Sequence, residues 1–158
     1  MIQVSLEVPD RPGELSRVAR LLGDRDVDIK ALHLSRINQS PPMGQVRMIV
    51  TDPEQATRVL AEGGWSPIQE RVIVVALDDH PGGMAKALLV LAEIGIDLDY
   101  AYGFVSRVEG RALSILGVGD VAKASDVLGQ AGFRLVAHIV SRGQEEELTT
   151  HLGGVWNW

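Results

Sequence analysis

Apolar side chains recur along the first half of the chain with two different periods. Residues 2–8 (IQVSLEV) alternate between apolar and polar positions and are rich in β-branched side chains, which predicts a strand. After Pro12 the spacing changes, and one apolar stripe is formed by Leu15, Val18, Ala19 and Leu22, as in a helix whose first turn accommodates the proline. The pattern continues with a strand at 27–31, a loop at 37–45, a strand at 46–51, a helix beginning with Asp52 as cap and Pro53, and a strand after Pro67.

The second half of the chain repeats this order of elements. Its strands are predicted at 72–77, 96–102, 112–118 and 135–140, and its helices at 81–93 and 121–131. Each half therefore has the order β-α-β-β-α-β, which is typical of ferredoxin-like folds. We predict an α+β protein of two such units, residues 1–70 and 71–142, followed by a C-terminal tail, 143–158. Each unit is expected to have an antiparallel sheet with both helices on one face.

The two halves also share a sequence motif where the first strand is expected to end. DRPGELSRVARLL at 10–22 matches DHPGGMAKALLVL at 79–91. V-D-I at 27–29 then matches I-D-L at 96–98 with the same spacing. Such self-similarity indicates an internal duplication, so a site formed by one half is expected to have a counterpart in the other.

Composition narrows the classes of function. The formal net charge of the 158 residues is −6, and an acidic chain with no basic stripe is unsuited to nucleic acid. The chain has no cysteine, which removes disulfides and thiolate catalysis and fits a cytoplasmic protein. No apolar run reaches the ~18 residues that span a membrane. His33, His80, His138 and His151 do not have metal-ligand spacing, so we expect no metal or cofactor.

Together, the D-x-P-G motif, its spacing to V-D-I or I-D-L, and the duplication resemble the ACT domain, a small regulatory module that binds amino acids. The resemblance covers residues 1–142, and the whole chain is similar to stand-alone tandem ACT proteins that carry no catalytic domain. It implies that two units join into one eight-stranded sheet. It also implies that an effector binds where the loop after the first strand of one unit meets the second strand of the other.

The resemblance indicates candidate ligand-binding residues in both motifs. One candidate site comprises Asp10, Arg11, Pro12, Gly13, Glu14 and Leu15 with Asp97. The other comprises Asp79, His80, Pro81, Gly82, Gly83 and Met84 with Asp28. Related domains often have asparagine where this chain has its four aspartates, which leaves the identity of the ligand open. His80 in place of Arg11 either gives the two loops different charges near neutral pH or is a solvent-facing loop residue.

Physical chemistry supports a zwitterionic ligand at such loops and also offers the aspartates a simpler role. The first N–H groups of a helix have no partner within the helix and carry partial positive charge, so they attract a carboxylate. Asp10 or Asp79 can accept hydrogen bonds from the ammonium group of the ligand. An aspartate ahead of Pro-Gly is, however, also a common turn residue or helix cap. Asp28 and Asp97 equally suit outward positions on a strand.

Three classes of function compete. The first is a non-catalytic amino-acid-binding sensor made of tandem ACT domains. The second is a regulatory subunit that controls a separate amino-acid biosynthetic enzyme, as the small subunit of acetolactate synthase does. That subunit does not resemble a second D-x-P-G unit in its second half, whereas this chain does, which favours the sensor. The third is an enzyme, which the sequence supports least because it shows no nucleophile–base set, cofactor motif or metal cluster.

Alternation along the second predicted strand indicates a homodimer. Unbroken alternation places Leu32 and Leu34 on the face opposite Ile29, which is the face that the helices leave open. An apolar open face is expected to be buried, either between the repeats or between two chains. We therefore expect light scattering to report a dimer.

Aromatic residues of the second half have simpler explanations than ligand binding. Unbroken alternation places Tyr100 and Tyr102 on the same face as Ile96 and Leu98, where packing is expected. The two tryptophans at the end of the tail are expected either to pack on the open face or at a dimer contact, or to fray.

Overall fold

The computed structural model describes residues 1–78, 80–104 and 111–137. The chain divides into two compact units. We call Ile2–Glu70 the first unit, and Met1 together with the chain from Arg71 onward the second unit. Several residues named above lie outside the described residues: Asp79, His138, His151 and the tail 143–158 with its two tryptophans.

The first unit has the predicted order β-α-β-β-α-β. Its elements are β1 (Ile2–Pro9), α1 (Glu14–Gly23), β2 (Ile29–Ile37), β3 (Met43–Val50), α2 (Pro53–Glu62) and β4 (Ile68–Arg71). The four strands form one sheet in the order β2-β3-β1-β4. β3 runs antiparallel to both β1 and β2, so the two central strands are β1 and β3.

The second unit repeats this arrangement. Its elements are β5 (Ile73–Leu77), α3 (Gly83–Glu93), β6 (Leu98–Gly103), β7 (Ala112–Val118), α4 (Val121–Gln130) and β8 (Arg134–Leu135). The strand order is β6-β7-β5-β8, which matches the first unit position by position. The predicted α+β fold of two ferredoxin-like units is therefore confirmed. The end of the last predicted strand, 138–140, lies outside the described residues.

Both helices of each unit pack on one face of their sheet, as predicted, although Ala19 of the predicted apolar stripe is exposed. In the first unit the buried side chains come from β1, α1, β3 and α2: Val4, Leu6, Val8, Val18, Leu22, Val46, Met48, Val50, Ala56 and Leu60. The second unit has a corresponding core: Ile73, Val75, Leu77, Ala87, Leu91, Leu116, Val118, Ala124 and Leu128. Burial of one such large apolar side chain contributes about 1.5–3 kcal/mol, so these two clusters dominate the stability of the units.

The second helix of each unit begins with an aspartate cap. Asp52 Oδ1 accepts a hydrogen bond of 2.8 Å from the backbone N–H of Gln55, and Pro53 is the first helical residue, as predicted. Asp120 Oδ1 accepts a hydrogen bond of 2.9 Å from Lys123 N–H in the same way. Such a cap contributes about 1 kcal/mol because it satisfies an N–H group that the helix leaves unpaired.

The first helix of each unit begins later than predicted. Pro12 lies in the turn before α1, and α1 starts at Glu14 after Gly13, whose φ is +92°. Pro81 and Gly82, with φ of +93°, precede α3 in the same way. A left-handed residue cannot belong to a right-handed helix, so the prediction that the prolines lie in the first turn is wrong.

β2 contains a β-bulge between Ile29 and Ala31. These two residues pair with consecutive residues of β3, so Lys30 is an extra residue in the ladder. An extra residue reverses the alternation of faces along the strand. Leu32 therefore packs against the same core as Ile29, and the prediction that Leu32 and Leu34 lie on the face opposite Ile29 is wrong.

β6 contains a bulge at the matching place. Leu98 and Tyr100 pair with consecutive residues of β7, so Tyr100 and Tyr102 lie on the face opposite Leu98 rather than beside it. The two tyrosine rings are 6.3 Å apart between centroids. The ring of Tyr100 lies directly over Gly117, where a Cβ atom would be only 2.3 Å from it. The tyrosines are thus packing residues, as expected, but on the other face.

Candidate functional site

The loop between β1 and α1 is a tight turn closed by backbone contacts. Arg11 N–H donates a hydrogen bond of 2.9 Å to the carbonyl oxygen of Pro9. Gly13 then adopts the left-handed conformation, which glycine enters at little cost because it has no Cβ. Among the described residues, no side chain caps α1. The first N–H groups of α1 therefore face the loop without the side-chain acceptor that α2 has.

Asp10 forms an ion pair with the end of β2 rather than a helix cap. Its Oδ2 atom lies 2.7 Å from Nε of Arg36. Its backbone N–H donates to the carbonyl oxygen of Pro42 at 3.1 Å, which fixes the residue between the two strands. The capping role is therefore wrong for Asp10. The Asp10 side chain is about 30% exposed. Its carboxylate is therefore held by the ion pair with Arg36 and can still be reached from solvent.

Glu14 is buried at the first position of α1 between two arginines. Its side chain is only 5% exposed. Its Oε1 atom accepts hydrogen bonds from Nε of Arg11 at 2.8 Å and from Nη2 at 2.5 Å, and Nη1 of Arg17 lies 3.2 Å from Oε2. The Arg17 guanidinium also lies 4.6 Å from the ring centroid of Trp65. We call these four residues, Arg11, Glu14, Arg17 and Trp65, the arginine cluster.

The arginine cluster keeps the Glu14 carboxylate charged. The hydrogen bond from Arg11 lowers the pKa of Glu14, and the positive charges of Arg11 and Arg17 act in the same direction. Burial acts in the opposite direction but is outweighed. The first turn of α1 thus already holds a carboxylate supplied by the chain itself.

The remaining candidate residues of the first unit have different surroundings from one another. Leu15 packs against the core and is half-buried. Asp28 is exposed just before β2, where its Oδ2 lies 3.1 Å from Nζ of Lys30 and its backbone N–H donates to Thr51 Oγ1 at 3.0 Å. This agrees with the reading of Asp28 as an outward residue. Pro12 and Gly13 are exposed in the loop.

The loop between β5 and α3 has the same backbone turn with different side chains. His80 N–H donates a hydrogen bond of 2.9 Å to the carbonyl oxygen of Asp78, and Gly82 is the left-handed residue before α3. The His80 side chain is half exposed, with Nδ1 3.0 Å from the carbonyl oxygen of Pro81 and Nε2 4.0 Å from Oδ2 of Asp78. Met84 packs against the core of the second unit, as Leu15 does in the first.

Asp78 is the residue of this loop that sequence reasoning missed. Its Oδ1 atom lies 3.0 Å from Nη1 of Arg111, at the start of β7. The repeat alignment selected Asp79 because that residue matches Asp10, and the neighbouring aspartate was passed over. The pair of adjacent aspartates at 78–79 was the available signal.

Gly83 occupies the position that Glu14 has in the first unit. It is buried, and a Cβ atom there would be 2.4 Å from the carbonyl oxygen of Asp78. The close approach of this backbone excludes any side chain without a local shift. The carboxylate that begins α1 therefore has no counterpart at the start of α3.

A cleft of about 200 Å³ opens beside the start of α3, and we call it the α3 cleft. The residues that line it come from β5, α3, the start of β7 and the segment after α4: Ala76, Asp78, Gly83, Lys86, Arg111, Ala131, Gly132, Phe133 and Arg134. Its lining includes three cationic side chains and one carboxylate among the described residues. This cleft was not predicted, because the sequence alone does not bring Arg111 and Arg134 near α3.

Asp97 is exposed just before β6. Its Oδ1 atom accepts a hydrogen bond of 2.9 Å from the N–H of Leu98. The pairing of Asp97 with the first loop, and of Asp28 with the second, stays a prediction. In the described ranges, no group of three or more His, Asp or Glu side chains could hold a metal ion, and no helix is long and apolar enough to cross a membrane.

Solved structures with similar folds include several from regulatory proteins. A protein of Bacteroides thetaiotaomicron is 24% identical with a TM-score of 0.77, covering 86% of this chain and 91% of that one. The regulatory subunit of aspartate kinase from Thermus thermophilus is 22% identical with a TM-score of 0.58, covering 82% and 91%. Aspartate kinase from Synechocystis is 21% identical with a TM-score of 0.58, covering 82% of this chain and 25% of that one. These likenesses show the fold.

Sequence comparison assigns the family. Among curated proteins, no sequence matches the chain significantly. The family model described as an ACT domain pair matches residues 1–141, which is most of the chain. The repeated β-α-β-β-α-β units and the two D-x-P-G turns agree with that match. The chain therefore belongs to the ACT domain pair family.

Proposed function

We propose that this protein is a non-catalytic, amino-acid-binding regulatory protein. The observation that carries the proposal is the pair of D-x-P-G turns. Each places a left-handed glycine directly before a helix that no side chain among the described residues caps. In a member of the ACT domain pair family, which is built from regulatory modules, such turns suit the binding of an effector.

The chemistry of the first loop supports a zwitterionic ligand. The Glu14 carboxylate is held by the side chains of Arg11 and Arg17 and does not cap the helix, so the backbone N–H groups and the partial positive charge at the start of α1 still attract an α-carboxylate. The Asp10 carboxylate, held by Arg36 and still partly exposed, can accept a hydrogen bond from an ammonium group. Because the Glu14 carboxylate is enclosed by two arginines, it does not offer an open negative charge at the helix start.

We further propose that the two motifs act as two ligand loops. The first comprises Asp10, Arg11, Pro12, Gly13, Glu14 and Leu15, and the second comprises Asp79, His80, Pro81, Gly82, Gly83 and Met84. Asp97 and Asp28 complete them from the second strand of the other unit. What supports this pairing is the exposure of both aspartates directly before β6 and β2. The ranges 1–70 and 71–142 are proposed as the two ACT domains.

A thermal-shift screen of the twenty amino acids tests the proposal. A ligand present at a hundredfold over its dissociation constant adds about 2.7 kcal/mol of stability. Asp10→Ala and Asp79→Ala are each expected to weaken binding of the amino acid that raises the melting temperature. Asp24→Ala and Asp126→Ala are the matched controls, because each removes an exposed aspartate of the same unit outside the motif, Asp24 directly after α1 and Asp126 within α4. No shift with any amino acid, or unchanged binding in both motif variants, would contradict the proposal.

A second candidate is a subunit that controls a separate amino-acid biosynthetic enzyme. It is supported by the likeness to the regulatory subunit of aspartate kinase from Thermus thermophilus, of which this chain covers 91%. In that case, the activity of the partner enzyme would respond to the amino acid only when this protein is present. Such a dependence in a reconstituted assay distinguishes the subunit from the stand-alone sensor.

We also propose a cytoplasmic homodimer. The open-face argument for it has weakened, because Leu32 packs into the core of the first unit. The remaining support is the presence of exposed large apolar side chains, of which Leu89 on α3 is 61% exposed and Ile68 on β4 is 54% exposed. Light scattering that reports a monomer at working concentration would exclude the dimer.

A further inference from the structure

We propose that the α3 cleft of the second unit binds an oxyanion, the carboxylate or phosphate group of a small molecule. The observation behind it is a comparison within the chain. At the matching place in the first unit, a carboxylate is already bound, and it is the side chain of Glu14. The second unit keeps one cation of that arrangement, Lys86 in place of Arg17, but it has His80 in place of Arg11 and no carboxylate.

The correspondence follows from the repeat. It matches Glu14 with Gly83, Arg17 with Lys86, and Trp65 with Phe133. In the first unit, the Glu14 carboxylate contacts Arg17, whose guanidinium lies on the ring of Trp65. In the second unit, Lys86 and Phe133 both line the α3 cleft, and Gly83 contributes only backbone to it. The cleft thus lies where the first unit places its own carboxylate.

The charge of the cleft favours an anion. Among the described residues of the lining, Lys86, Arg111 and Arg134 are cationic and Asp78 is anionic, so positive side chains outnumber negative ones there. Asp78 and Arg111 form an ion pair of 3.0 Å, which holds Arg111 at the edge of the cleft. The whole chain, in contrast, has a net charge of −6. A positive cleft on an acidic protein attracts an anion locally, where the rest of the surface repels it.

The backbone adds to this preference. α3 is 11 residues long, and its first residue, Gly83, lines the cleft directly after the left-handed Gly82. The N–H of Gly83 itself donates to the carbonyl oxygen of His80 at 3.1 Å, so the N–H groups that follow it and the partial positive charge of the helix start favour negative charge there. A volume of about 200 Å³ is below the roughly 300 Å³ at which pockets for drug-sized ligands begin. The cleft therefore suits the anionic group of a ligand rather than a large apolar body.

Isothermal titration with two probes tests the proposal. Inorganic phosphate and succinate are titrated separately into the full chain at low ionic strength, and at least one is expected to bind. Tighter binding of phosphate assigns the site to phosphoryl groups, and tighter binding of succinate assigns it to carboxylates. Lys86→Gln is expected to weaken binding about tenfold, because it removes one charge-assisted contact. Arg134→Gln is expected to act in the same direction.

Lys123→Gln is the matched control. It removes the same charge from an exposed position on α4 of the same unit, but it does not line the cleft. The affinity of Lys123→Gln for phosphate and succinate is expected to equal that of the wild type. Absence of binding by both probes, or equal weakening by Lys86→Gln and Lys123→Gln, would overturn the proposal. Because Lys86 is exposed and packs in neither core, its replacement leaves the fold intact.

A variant of the first unit tests the correspondence itself. Glu14→Ala removes the internal carboxylate and leaves Arg11 and Arg17 without it, so a second phosphate-binding event is expected. No gain of binding in the folded variant, as judged by circular dichroism, would contradict the comparison between the units. Gly83 belongs to both the cleft and the second ligand loop, but Lys86 and Arg134, whose replacement tests the cleft, lie outside both D-x-P-G motifs. Failure of one proposal can therefore be distinguished from failure of the other.

Discussion

The first turns of α1 and α3 follow glycines with φ of +92° and +93°, yet their surroundings differ. At the start of α1, the Glu14 carboxylate is buried between two arginines, one of which, Arg17, also lies over the ring of Trp65. At the start of α3, the matching residue is Gly83, and a cationic cleft is present instead. The backbone of the turn is the same in both units, and the side chain that follows the glycine is not.

This difference indicates how a duplicated turn can acquire two roles. The left-handed glycine sets the direction in which each helix begins, because a residue with a Cβ is strained in that conformation. The next residue then decides whether nearby cations are neutralised from within the chain or from outside it. Glu14 neutralises Arg11 and Arg17, whereas Gly83 adds no carboxylate beside Lys86 in the cleft.

The largest expected effect tests whether the units differ only at their helix starts. Leu22 and Leu91 are fully buried at matching positions of α1 and α3. Leu22→Ala and Leu91→Ala are each expected to lower the free energy of unfolding by about 2–5 kcal/mol, through lost burial and the cavity left behind. Chemical denaturation followed by circular dichroism measures this. Leu89→Ala, at a site 61% exposed, is the control and is expected to stay within about 0.5 kcal/mol.

If Leu22→Ala and Leu91→Ala lower the free energy of unfolding by clearly different amounts, the two units are not equivalent in their cores. Such a result would show that the units differ in packing as well as in the charges at the helix starts. Equal losses of free energy of unfolding would indicate that the units differ at the first turns of α1 and α3 and not in these core positions.

A smaller effect is expected from the matching cations Arg17 and Lys86. Arg17→Gln removes the contact with the ring of Trp65 and is expected to lower the free energy of unfolding by about 0.5–1 kcal/mol. Lys86→Gln removes an exposed charge and is expected to change it by less than about 0.5 kcal/mol. Thermal denaturation of both variants beside the wild type makes the measurement. A larger loss of stability from Lys86→Gln than from Arg17→Gln would contradict this contrast, because it would show that Lys86 has the stronger contacts within the folded chain.

The smallest effect is expected when the pH is lowered. The quantity measured is the difference in stability between the wild type and Glu14→Gln, and the test is how that difference changes with pH. The pKa of Glu14 is lowered below 4.5, so its ionised form stabilises the folded state above that pH. This contribution is lost as the pH falls through the lowered pKa. The stability difference between the wild type and Glu14→Gln is therefore expected to be complete at neutral pH and to shrink below pH 4.5.

Melting temperatures measured from pH 7 to pH 3 test this sign. Glu54→Gln, at an exposed position in the first turn of α2, is the control for general acid effects. A difference that grows toward low pH would contradict the stabilising role of the arginine cluster.

Much of the fold could be predicted from local patterns. The Asp52-Pro53 start of α2 was predicted because a cap and a first-turn proline act within one helical turn. Val59 and Leu60, on the apolar face of that helix, are buried. The D-x-P-G turns were located for the same reason, although the helices begin two residues beyond the prolines.

The wrong predictions concern side chains whose position depends on a segment distant along the chain. The bulges at Lys30 and Asp99 depend on the pairing of β2 with β3 and of β6 with β7, so unbroken alternation assigned Leu32 and Tyr100 to the wrong faces. Asp10 was weighed as a cap or a ligand contact, but its partner is Arg36 on another strand. No spacing rule in the sequence brings these side chains together.

The sequence by itself determined the duplicated β-α-β-β-α-β order, the two glycine turns and the apolar stripes, because each depends on residues a few positions apart. Only the tertiary structure decided which charges meet when they lie far apart along the chain. The pairs of Glu14 with Arg11 and Arg17 are local, since each spans three residues. The tertiary structure paired Asp10 with Arg36 and brought Arg111 and Arg134 to the start of α3. The physical reason is that an ion pair depends on distances of a few ångströms in space, and strand pairing sets those distances between residues far apart along the chain.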